Sequence, residues 1–399
     1  MKYDFTSKMD RAGHDAYALD IIPIPGVEVK EGFSKLPMWV ADMNFPVFPE
    51  ITNAIHARVN EPHFGYFMMR DEYYDAIINW QKDRNGVENL TKENIGYENG
   101  VLGCVSTCLH AFTAPSEAIL VNGPLYIGFT AVLDSTARKV VISDLVKDEN
   151  NIWRMDLEDM EKKIIENHIH TVIFCSPHNP SGRVWEKEEI EAAMALFEKY
   201  ECTVISDEIW SDIILPGYKH IPTQSVSEYA REHTIGIYAP SKTFNLAGLI
   251  GSYHIVYNKR LQDSMKLVSN ATHYNSCNVL SMHALMGAYK PEGRVWVDEL
   301  CQTIEKNINY ACDFIEEHFK GVTFGRPQGT YMLYLDASKW LEEHDMTCDE
   351  LLRKGVEVGV IWQDGRPFKM DNTIRMNFAL PYDLVVEAMD RLNTYVFNA

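Results

Sequence analysis

Lys242 has the surroundings of a lysine that does chemistry. It follows the apolar, strand-like residues 234–238 and precedes a turn of small and polar residues. Ligands of open α/β sheets bind at strand ends, and an amine that loses its hydration there gives up its proton more readily and can attack an aldehyde. The sequence therefore predicts a lysine that forms a Schiff base with an aldehyde cofactor. The alternative is an ordinary solvated surface lysine.

Two polar residues follow other strand-like stretches. Asp207 comes directly after residues 203–206, where a buried carboxylate needs a cationic partner, and a protonated ring nitrogen would be one. Asn179 follows residues 171–175 and precedes a proline, so its amide is free to bind a ring oxygen. Each residue alone could be a turn or capping residue. Together with Lys242 they predict one site for a flat ring.

Three more features fit such a site. Gly100 and Gly103 precede an apolar helix, residues 105–112. Backbone amides and the dipole at a helix start favour a phosphate, although a helix start without a ligand is the alternative. Tyr126 could lay its ring on a flat heterocycle, or be an ordinary packed tyrosine. Arg375 could hold a carboxylate with two parallel hydrogen bonds, or form a structural ion pair.

Charge and termini narrow the class of protein. The 399-residue chain has a net charge of -20, which would repel the phosphates of nucleic acid, so no nucleic-acid partner is expected. The N-terminus lacks an apolar signal region, and no uninterrupted apolar run reaches about 18 residues. A cytoplasmic protein without membrane contact is therefore predicted.

The cysteines and histidines do not form a metal-binding pattern. The eight cysteines are scattered, which fits reduced, buried thiols better than a disulfide framework. Cys104 and Cys108 lie one helical turn apart without a second pair, and His168 and His170 have no acidic third ligand nearby. No metal site is predicted.

The alternation of apolar and amphipathic segments predicts the fold class. Between about residues 95 and 260, strand-like and helical stretches alternate, which indicates an α/β fold with a mostly parallel sheet covered on both faces. We predict a large domain, residues 47–290, and a smaller α+β lobe built from residues 1–46 and 291–399. The strand candidates are residues 118–122, 139–143, 171–175, 203–206, 234–238 and 252–256.

With these residues assembled, the chain resembles the fold-type I pyridoxal-phosphate enzymes, the aspartate-aminotransferase superfamily. Within it, the chain looks most like the MalY/PatB group of cystathionine β-lyases, also called carbon–sulfur lyases. The resemblance spans nearly the whole chain and implies a three-layer αβα fold. It is carried by PMWVADMNF at 37–45, FGY at 64–66, CSPHNPSG at 175–182, ISDEI at 205–209, PSKTFN at 240–245 and PQGTY at 327–331.

The resemblance implies pyridoxal 5'-phosphate as the cofactor and gives its contacts. Lys242 would bind it covalently and shuttle protons, Asp207 would pair with its ring nitrogen, Asn179 would bind its ring hydroxyl, and Tyr126 would stack on its ring. The phosphate would be held by the amides of Val101 and Leu102 together with Ser241.

The resemblance also implies a substrate site and a homodimer. Arg375 would bind the carboxylate of an amino-acid substrate, aided by Asn179 and the loop at Val40. Tyr66 would reach the phosphate in the neighbouring subunit.

Three positions depart from the pattern of the relatives. Trp210 stands where aminotransferases usually have tyrosine and the lyase group has histidine, and an indole donates but does not accept a hydrogen bond. Ala239 and Ile250 stand where many relatives have a serine and an arginine that serve the phosphate. The phosphate should therefore depend on backbone amides, Ser241 and Tyr66.

The predicted function is a β-lyase that acts on cystathionine, cysteine or a related S-substituted cysteine and releases a thiol, pyruvate and ammonia. Lys242 would take the α-proton, and the ring paired with Asp207 would stabilise the carbanion. An aminotransferase is the close alternative and a racemase a weaker one, because all three share these steps. A non-catalytic regulatory protein is a third alternative, against which the intact Asn179, Asp207 and Lys242 argue. The natural sulfur substrate is not given by the sequence.

Overall fold

A seven-stranded sheet forms the centre of the protein in the computed structural model, which describes residues 1–398. The strands of the chain are β1 (Leu36–Pro37), β2 (Ile95–Glu98), β3 (Ala118–Gly123), β4 (Lys139–Asp144), β5 (Val146–Lys147), β6 (Trp153–Arg154), β7 (Thr171–Cys175), β8 (Thr203–Asp207), β9 (Thr234–Tyr238), β10 (Ser252–Ile255), β11 (Thr323–Phe324), β12 (Met332–Asp336), β13 (Val360–Ile361), β14 (Gln363–Asp364) and β15 (Thr373–Asn377).

Helices cover this sheet and link its strands. They are α1 (Tyr17–Asp20), α2 (Pro49–Val59), α3 (Asp71–Asn85), α4 (Val101–Phe112), α5 (Ile127–Ser135), α6 (Leu157–Asn167), α7 (Lys187–Lys199), α8 (Glu228–His233), α9 (Pro240–Thr243), α10 (Lys259–Thr272), α11 (Val279–Ala288), α12 (Pro291–His318), α13 (Ser338–Glu343), α14 (Cys348–Glu357) and α15 (Tyr382–Leu392). Within residues 1–398, none of these helices has the length and apolar character that a membrane crossing requires.

The central sheet has the strand order β2-β10-β9-β8-β7-β3-β4. Strands β3, β4, β7, β8 and β9 run parallel to one another, and β10 runs antiparallel to β2 and β9. All six strand candidates are present, each within one residue of its predicted ends. The predicted α/β class with a mostly parallel sheet is confirmed.

The sheet has an apolar layer on each face. Successive side chains of a strand point to opposite faces, so Ile173 and Ile205 pack with α4, α5 and α10. Val172 and Phe174 pack on the other face with α6 and α7. Every residue of β7 and β9 is buried, as expected for parallel strands that are covered on both sides.

The two ends of the chain meet in a second, smaller sheet region. Strands β11, β12, β15 and β14 form an antiparallel sheet. β1 pairs in parallel with β13, and the register places Leu36 opposite Val360. The exact division into residues 47–290 and the two terminal segments stays a prediction.

The eight cysteines, all of which lie within residues 1–398, are free, and seven of them are buried. His168 and His170 are both exposed.

Asp212 joins the segment after β8 to the helix that carries Lys242. Its buried carboxylate accepts hydrogen bonds from Trp80 Nε1 (3.0 Å) and Thr243 Oγ1 (2.9 Å). Arg84 lies 3.8 Å from the same carboxylate. Since Thr243 directly follows Lys242 and is the last residue of α9, Asp212 ties the end of α9 to α3 and to the segment after β8.

The hydrogen bond from Thr243 to Asp212 can be tested with an isosteric variant. Thr243→Val removes the hydroxyl and leaves a buried carboxylate with one donor fewer, so the free energy of unfolding should fall by about 1–2 kcal/mol. Urea unfolding measures this change. Thr272→Val, on an exposed turn of α10, is the control and should change stability by less than about 0.5 kcal/mol. Equal losses in the two variants would contradict the role of Asp212.

Candidate active site

The polar residues that follow β7, β8 and β9 meet at one edge of the sheet. Because these strands are neighbours and parallel, their carboxyl ends bring Asn179, Asp207 and Lys242 together. They face a cavity of about 320 Å³. Of the predicted site residues, seven line this cavity: Val101, Leu102, Tyr126, Asn179, Asp207, Ser241 and Lys242.

Lys242 holds its amine inside the protein. Its side chain is partly buried and lines the cavity. Nζ donates a hydrogen bond to the carbonyl oxygen of Ala41 (2.9 Å) and lies 5.8 Å from the ring centre of Trp210. Burial, followed by the nearby charge of Arg375, lowers the pKa of Lys242 from about 10.5 to about 8.

Asp207 is the carboxylate of the cavity. It ends β8, is buried, and accepts one hydrogen bond at Oδ1 from the backbone nitrogen of Ile209 (3.1 Å). Burial raises the pKa of Asp207 to about 7, and the charge of Lys242 opposes only part of this increase. A cation placed in the cavity beside Asp207 would restore the ionised carboxylate.

Arg375 is a buried cation on β15. Its Nη1 donates to Asn179 Oδ1 (3.2 Å) and its Nη2 to the carbonyl oxygen of Trp39 (2.9 Å). The guanidinium carbon lies 4.7 Å from the ring centre of Phe368. Burial lowers the pKa of Arg375 to about 10. Among residues 1–398 it has no carboxylate partner and its buried Nε has no hydrogen bond, so the structural ion pair considered from the sequence is absent.

The start of α4 provides free backbone amides at the cavity. The helix begins at Val101, four residues before the predicted start at residue 105, so that prediction was wrong at this end. Gly100 is the N-cap residue and has φ +79°, a conformation that glycine adopts without strain. Because glycine has no side chain, no side-chain hydrogen bond caps the first backbone amides of the helix. Such amides favour an anion.

Of the three residues that depart from the family pattern, Trp210 and Ile250 line the cavity. Trp210 is buried, lines the cavity and meets the ring of Tyr331 edge-on at 4.7 Å. Ala239 is buried immediately before α9. Ile250 is 57% exposed with φ +47°, a backbone conformation that branched residues seldom adopt.

Three of the predicted residues, Arg375, Val40 and Tyr66, lie outside the lining of the cavity. Val40 contributes its carbonyl oxygen to Asn377 Nδ2 (2.7 Å) within the loop of residues 39–43. Tyr66 is fully exposed in the irregular stretch between α2 and α3. The contact between Lys242 and Ala41 was missed from the sequence, because no spacing pattern indicates a bond between residues 201 positions apart.

Within residues 1–398, one group of three potential metal ligands includes a residue of α4. Ligand atoms of Glu98, Cys104 and His254 lie within 4.8 Å of one another. Both oxygens of Glu98 already accept hydrogen bonds, from His254 Nδ1 (2.8 Å) and from Asn275 Nδ2 (2.6 Å). Hydrogen bonding explains this cluster without a metal ion.

Comparison with known proteins shows the family of the chain and several of its relatives. Residues 39–392 match the model of the family "Aminotransferase class I and II", so the chain belongs to this family. It is 34% identical over 322 residues to cystathionine beta-lyase PatB of Bacillus subtilis, an alignment that covers 80% of this chain and 82% of PatB. The resemblance to the MalY/PatB group is thereby confirmed.

Two solved structures have the same overall fold. Cystalysin from Treponema denticola, which contains pyridoxal 5'-phosphate, superposes with a TM-score of 0.88 at 29% identity and covers 98% of both chains. The pyridoxal-phosphate-bound C-S lyase from Staphylococcus hominis superposes with a TM-score of 0.87 at 29% identity, again over 98% of both chains.

The residues of the cavity fit pyridoxal phosphate. Lys242 offers an amine that is neutral in part, and Asp207 offers a buried carboxylate that favours a cationic ring nitrogen. The uncapped start of α4 suits the phosphate. A Cβ atom on Gly128 would lie 2.4 Å from the Tyr126 ring, so this glycine leaves room for the tyrosine beside the cavity.

The pKa of Lys242 predicts how the cofactor-free protein takes up pyridoxal phosphate. Only the neutral amine attacks an aldehyde, so the rate of covalent capture should rise with pH and be half-maximal near pH 8. A solvated lysine would instead place the midpoint at roughly pH 10, where a lysine side chain in water titrates. Stopped-flow absorbance at a series of pH values measures the midpoint. Lys242→Ala is the control, and covalent capture that persists in this variant would show that the lysine is misassigned.

Proposed function

We propose that the protein is a pyridoxal-phosphate-dependent carbon–sulfur β-lyase. Its substrates would be cystathionine, cysteine or a related S-substituted cysteine. With one water consumed, its products would be a thiol, pyruvate and ammonia. The names of the relatives support this reaction, since they include a cystathionine beta-lyase and a C-S lyase.

One observation carries the proposal. Arg375 is a buried cation that has no carboxylate partner within residues 1–398, and it contacts Asn179, which lines the same cavity as Lys242. A buried charge of this kind is unfavourable unless a ligand pairs with it. The carboxylate of an amino acid is the partner that a guanidinium binds with two parallel hydrogen bonds.

The contacts of the cofactor would follow from the placement of the cavity residues. Asp207 would pair with the ring nitrogen, Asn179 would bind the ring hydroxyl and Tyr126 would lie against the ring. When bound, pyridoxal phosphate supplies an electron sink that stabilises negative charge on the α-carbon of the substrate. The phosphate would be held by the amides of Val101 and Leu102 and by Ser241.

Lys242 would move the proton. The pKa of Lys242, about 8, leaves part of the amine neutral near neutral pH, as a general base requires. Arg375 and the loop at Val40 would orient the substrate so that its α-proton faces Nζ. The C–S bond at the β-carbon would then break, and the proton held by Lys242 is available to the departing sulfur.

An aminotransferase is the second candidate. The matching family model is that of aminotransferases, and transamination also begins with removal of the α-proton. The two reactions differ in whether a group leaves the β-carbon and where the proton returns. Trp210, beside Lys242 in the cavity, is the residue that we propose influences this choice, because its indole cannot accept a hydrogen bond.

We also propose a homodimer with shared sites. Tyr66 is fully exposed in the single chain, and its neighbours Phe64 and Met68 are 62% and 85% exposed. A run of exposed apolar side chains is typical of a protein–protein contact. In the dimer, Tyr66 would reach the phosphate of the neighbouring subunit.

The cytoplasm is the proposed location. Free thiols at all eight cysteines support a reducing compartment, where disulfides are rare.

Product analysis tests the reaction. Purified protein loaded with pyridoxal phosphate is incubated with cystathionine, with and without a 2-oxo acid, and thiol, pyruvate and new amino acid are measured. A lyase should give thiol and pyruvate in equal amounts without any 2-oxo acid. Turnover that occurs only with a 2-oxo acid would instead establish the aminotransferase.

A variant of Arg375 tests the observation behind the proposal. Arg375→Lys keeps a positive charge but loses the paired donors, so KM should rise by about 10–100-fold with a smaller effect on kcat. An unchanged KM would show that the substrate carboxylate binds elsewhere.

Mixing two inactive variants tests the shared site. Tyr66→Ala and Lys242→Ala are refolded together, so that a mixed dimer contains one site with both native residues. Random pairing should then recover about a quarter of the wild-type activity. Tyr66→Ala and Lys242→Ala refolded separately are the controls, and no recovery on mixing would contradict a Tyr66 that acts across the interface.

A further inference from the structure

Every carbonyl group of the loop formed by residues 39–43 accepts a hydrogen bond from a side chain. Two of the donors are Arg375 and Lys242, the cations of the candidate site. The position of this loop therefore determines where both charged ends lie. The bonds are Arg375 Nη2 to Trp39 O (2.9 Å), Asn377 Nδ2 to Val40 O (2.7 Å), Lys242 Nζ to Ala41 O (2.9 Å), Asn377 Nδ2 to Asp42 O (2.6 Å), and Asn245 Nδ2 and Arg11 Nη1 to Met43 O (both 3.0 Å).

Arg11 forms an ion pair with the one acidic side chain of this loop. Its Nη2 lies 2.6 Å from Asp42 Oδ2, and its Nη1 also donates to Asn44 Oδ1 (2.7 Å). The two charged side chains are only 19% and 18% exposed. The other carboxylate oxygen, Oδ1 of Asp42, is buried and accepts no hydrogen bond from residues 1–398. Arg11 is thus the cation that compensates Asp42.

The charges around Lys242 come from three directions. Arg375 on β15 is positive and favours the neutral amine, whereas Asp207 at the end of β8 and Asp42 in the loop are negative and favour the ammonium. Asp42 directly follows Ala41, whose carbonyl oxygen holds Nζ. Charges out of water interact strongly, because little solvent screens them. The effect of the Asp42 charge on the protonation of Lys242 therefore depends on how far the ion pair with Arg11 offsets that charge.

We propose that Arg11 and Asp42 are positioning residues that set the protonation of Lys242 through their ion pair. The proposal depends on covalent capture of pyridoxal phosphate by Lys242, which is part of the proposed function. It does not depend on which substrate is cleaved. Neither residue is assigned contact with cofactor or substrate.

Two variants that each remove one charge of the ion pair should shift the pKa of Lys242 in opposite directions. Arg11→Gln leaves the Asp42 carboxylate uncompensated, which favours the ammonium and raises the pKa of Lys242. Asp42→Asn removes the negative charge and leaves the Arg11 cation, which favours the neutral amine and lowers that pKa. In the double variant both charges are gone, so the pKa should return toward that of the wild type.

The pH dependence of pyridoxal phosphate capture by the cofactor-free protein measures these shifts. The midpoint should rise by about half a pH unit in Arg11→Gln and fall by a similar amount in Asp42→Asn. At pH 7 this corresponds to capture rates about threefold slower and about threefold faster than in the wild type. The double variant should lie between the two single variants, near the wild-type midpoint.

Two further variants are controls. One keeps the positive charge at position 11, and the other changes the net charge of the protein at a distant ion pair. Arg11→Lys keeps the cation and should leave the midpoint near that of the wild type. Arg326→Gln removes the same charge from a pair with Asp313 on α12, of equal length (2.6 Å), and should not move it. The thermal unfolding midpoint of each variant reports loss of structure independently of capture.

The capture midpoints of Arg11→Gln and Asp42→Asn should move in opposite directions, and other outcomes would overturn the proposal. A uniform change in rate with an unchanged midpoint would mean that the ion pair serves only structure. Midpoints that move in the same direction in Arg11→Gln and Asp42→Asn would contradict the electrostatic role. Failure of the proposed function is distinguishable, because then wild-type protein itself would show no capture that depends on Lys242.

Discussion

The loss of hydration at one edge of the central sheet is the constraint on which the rest of this structure depends. Lys242, Asp207 and Arg375 are all held out of bulk water, and burial shifts the pKa of each toward its neutral form. Apolar residues at these positions would be easier to bury. The protein therefore keeps three costly groups in place, and a bound molecule that carries complementary charges would offset that cost.

The scaffold meets this constraint with rigid elements and many short polar contacts. Parallel strands that are buried on both faces fix the ends from which Asn179, Asp207 and Lys242 project. Asp212 then ties the lysine helix to the segment after β8, and Asn377 ties the loop of residues 39–43 to β15. In this loop, polar side chains donate hydrogen bonds to the backbone carbonyl groups, which in a β-strand would be bonded by a neighbouring strand.

The sequence predicted what depends on local patterns and on recognised motifs. The six strand candidates rest on apolar runs between turns, and the strand-end residues follow from the geometry of parallel sheets. The early start of α4 was missed because Gly100 and Gly103 are typical of a turn, although Gly100 is the N-cap and Gly103 lies in the first turn of the helix. The pairing of Arg11 with Asp42 was missed because contacts between side chains in irregular segments follow no period.

The parallel pairing of β1 with β13 affects the order in which the molecule can be built. Leu36 lies opposite Val360, so a segment that is synthesised early pairs with one that is synthesised much later. Closing so long a loop carries a large entropic penalty before its contacts form. The central sheet can assemble earlier from neighbouring segments. A nascent chain that stops before β15 would therefore carry Lys242 without Arg375, the buried cation that contacts Asn179.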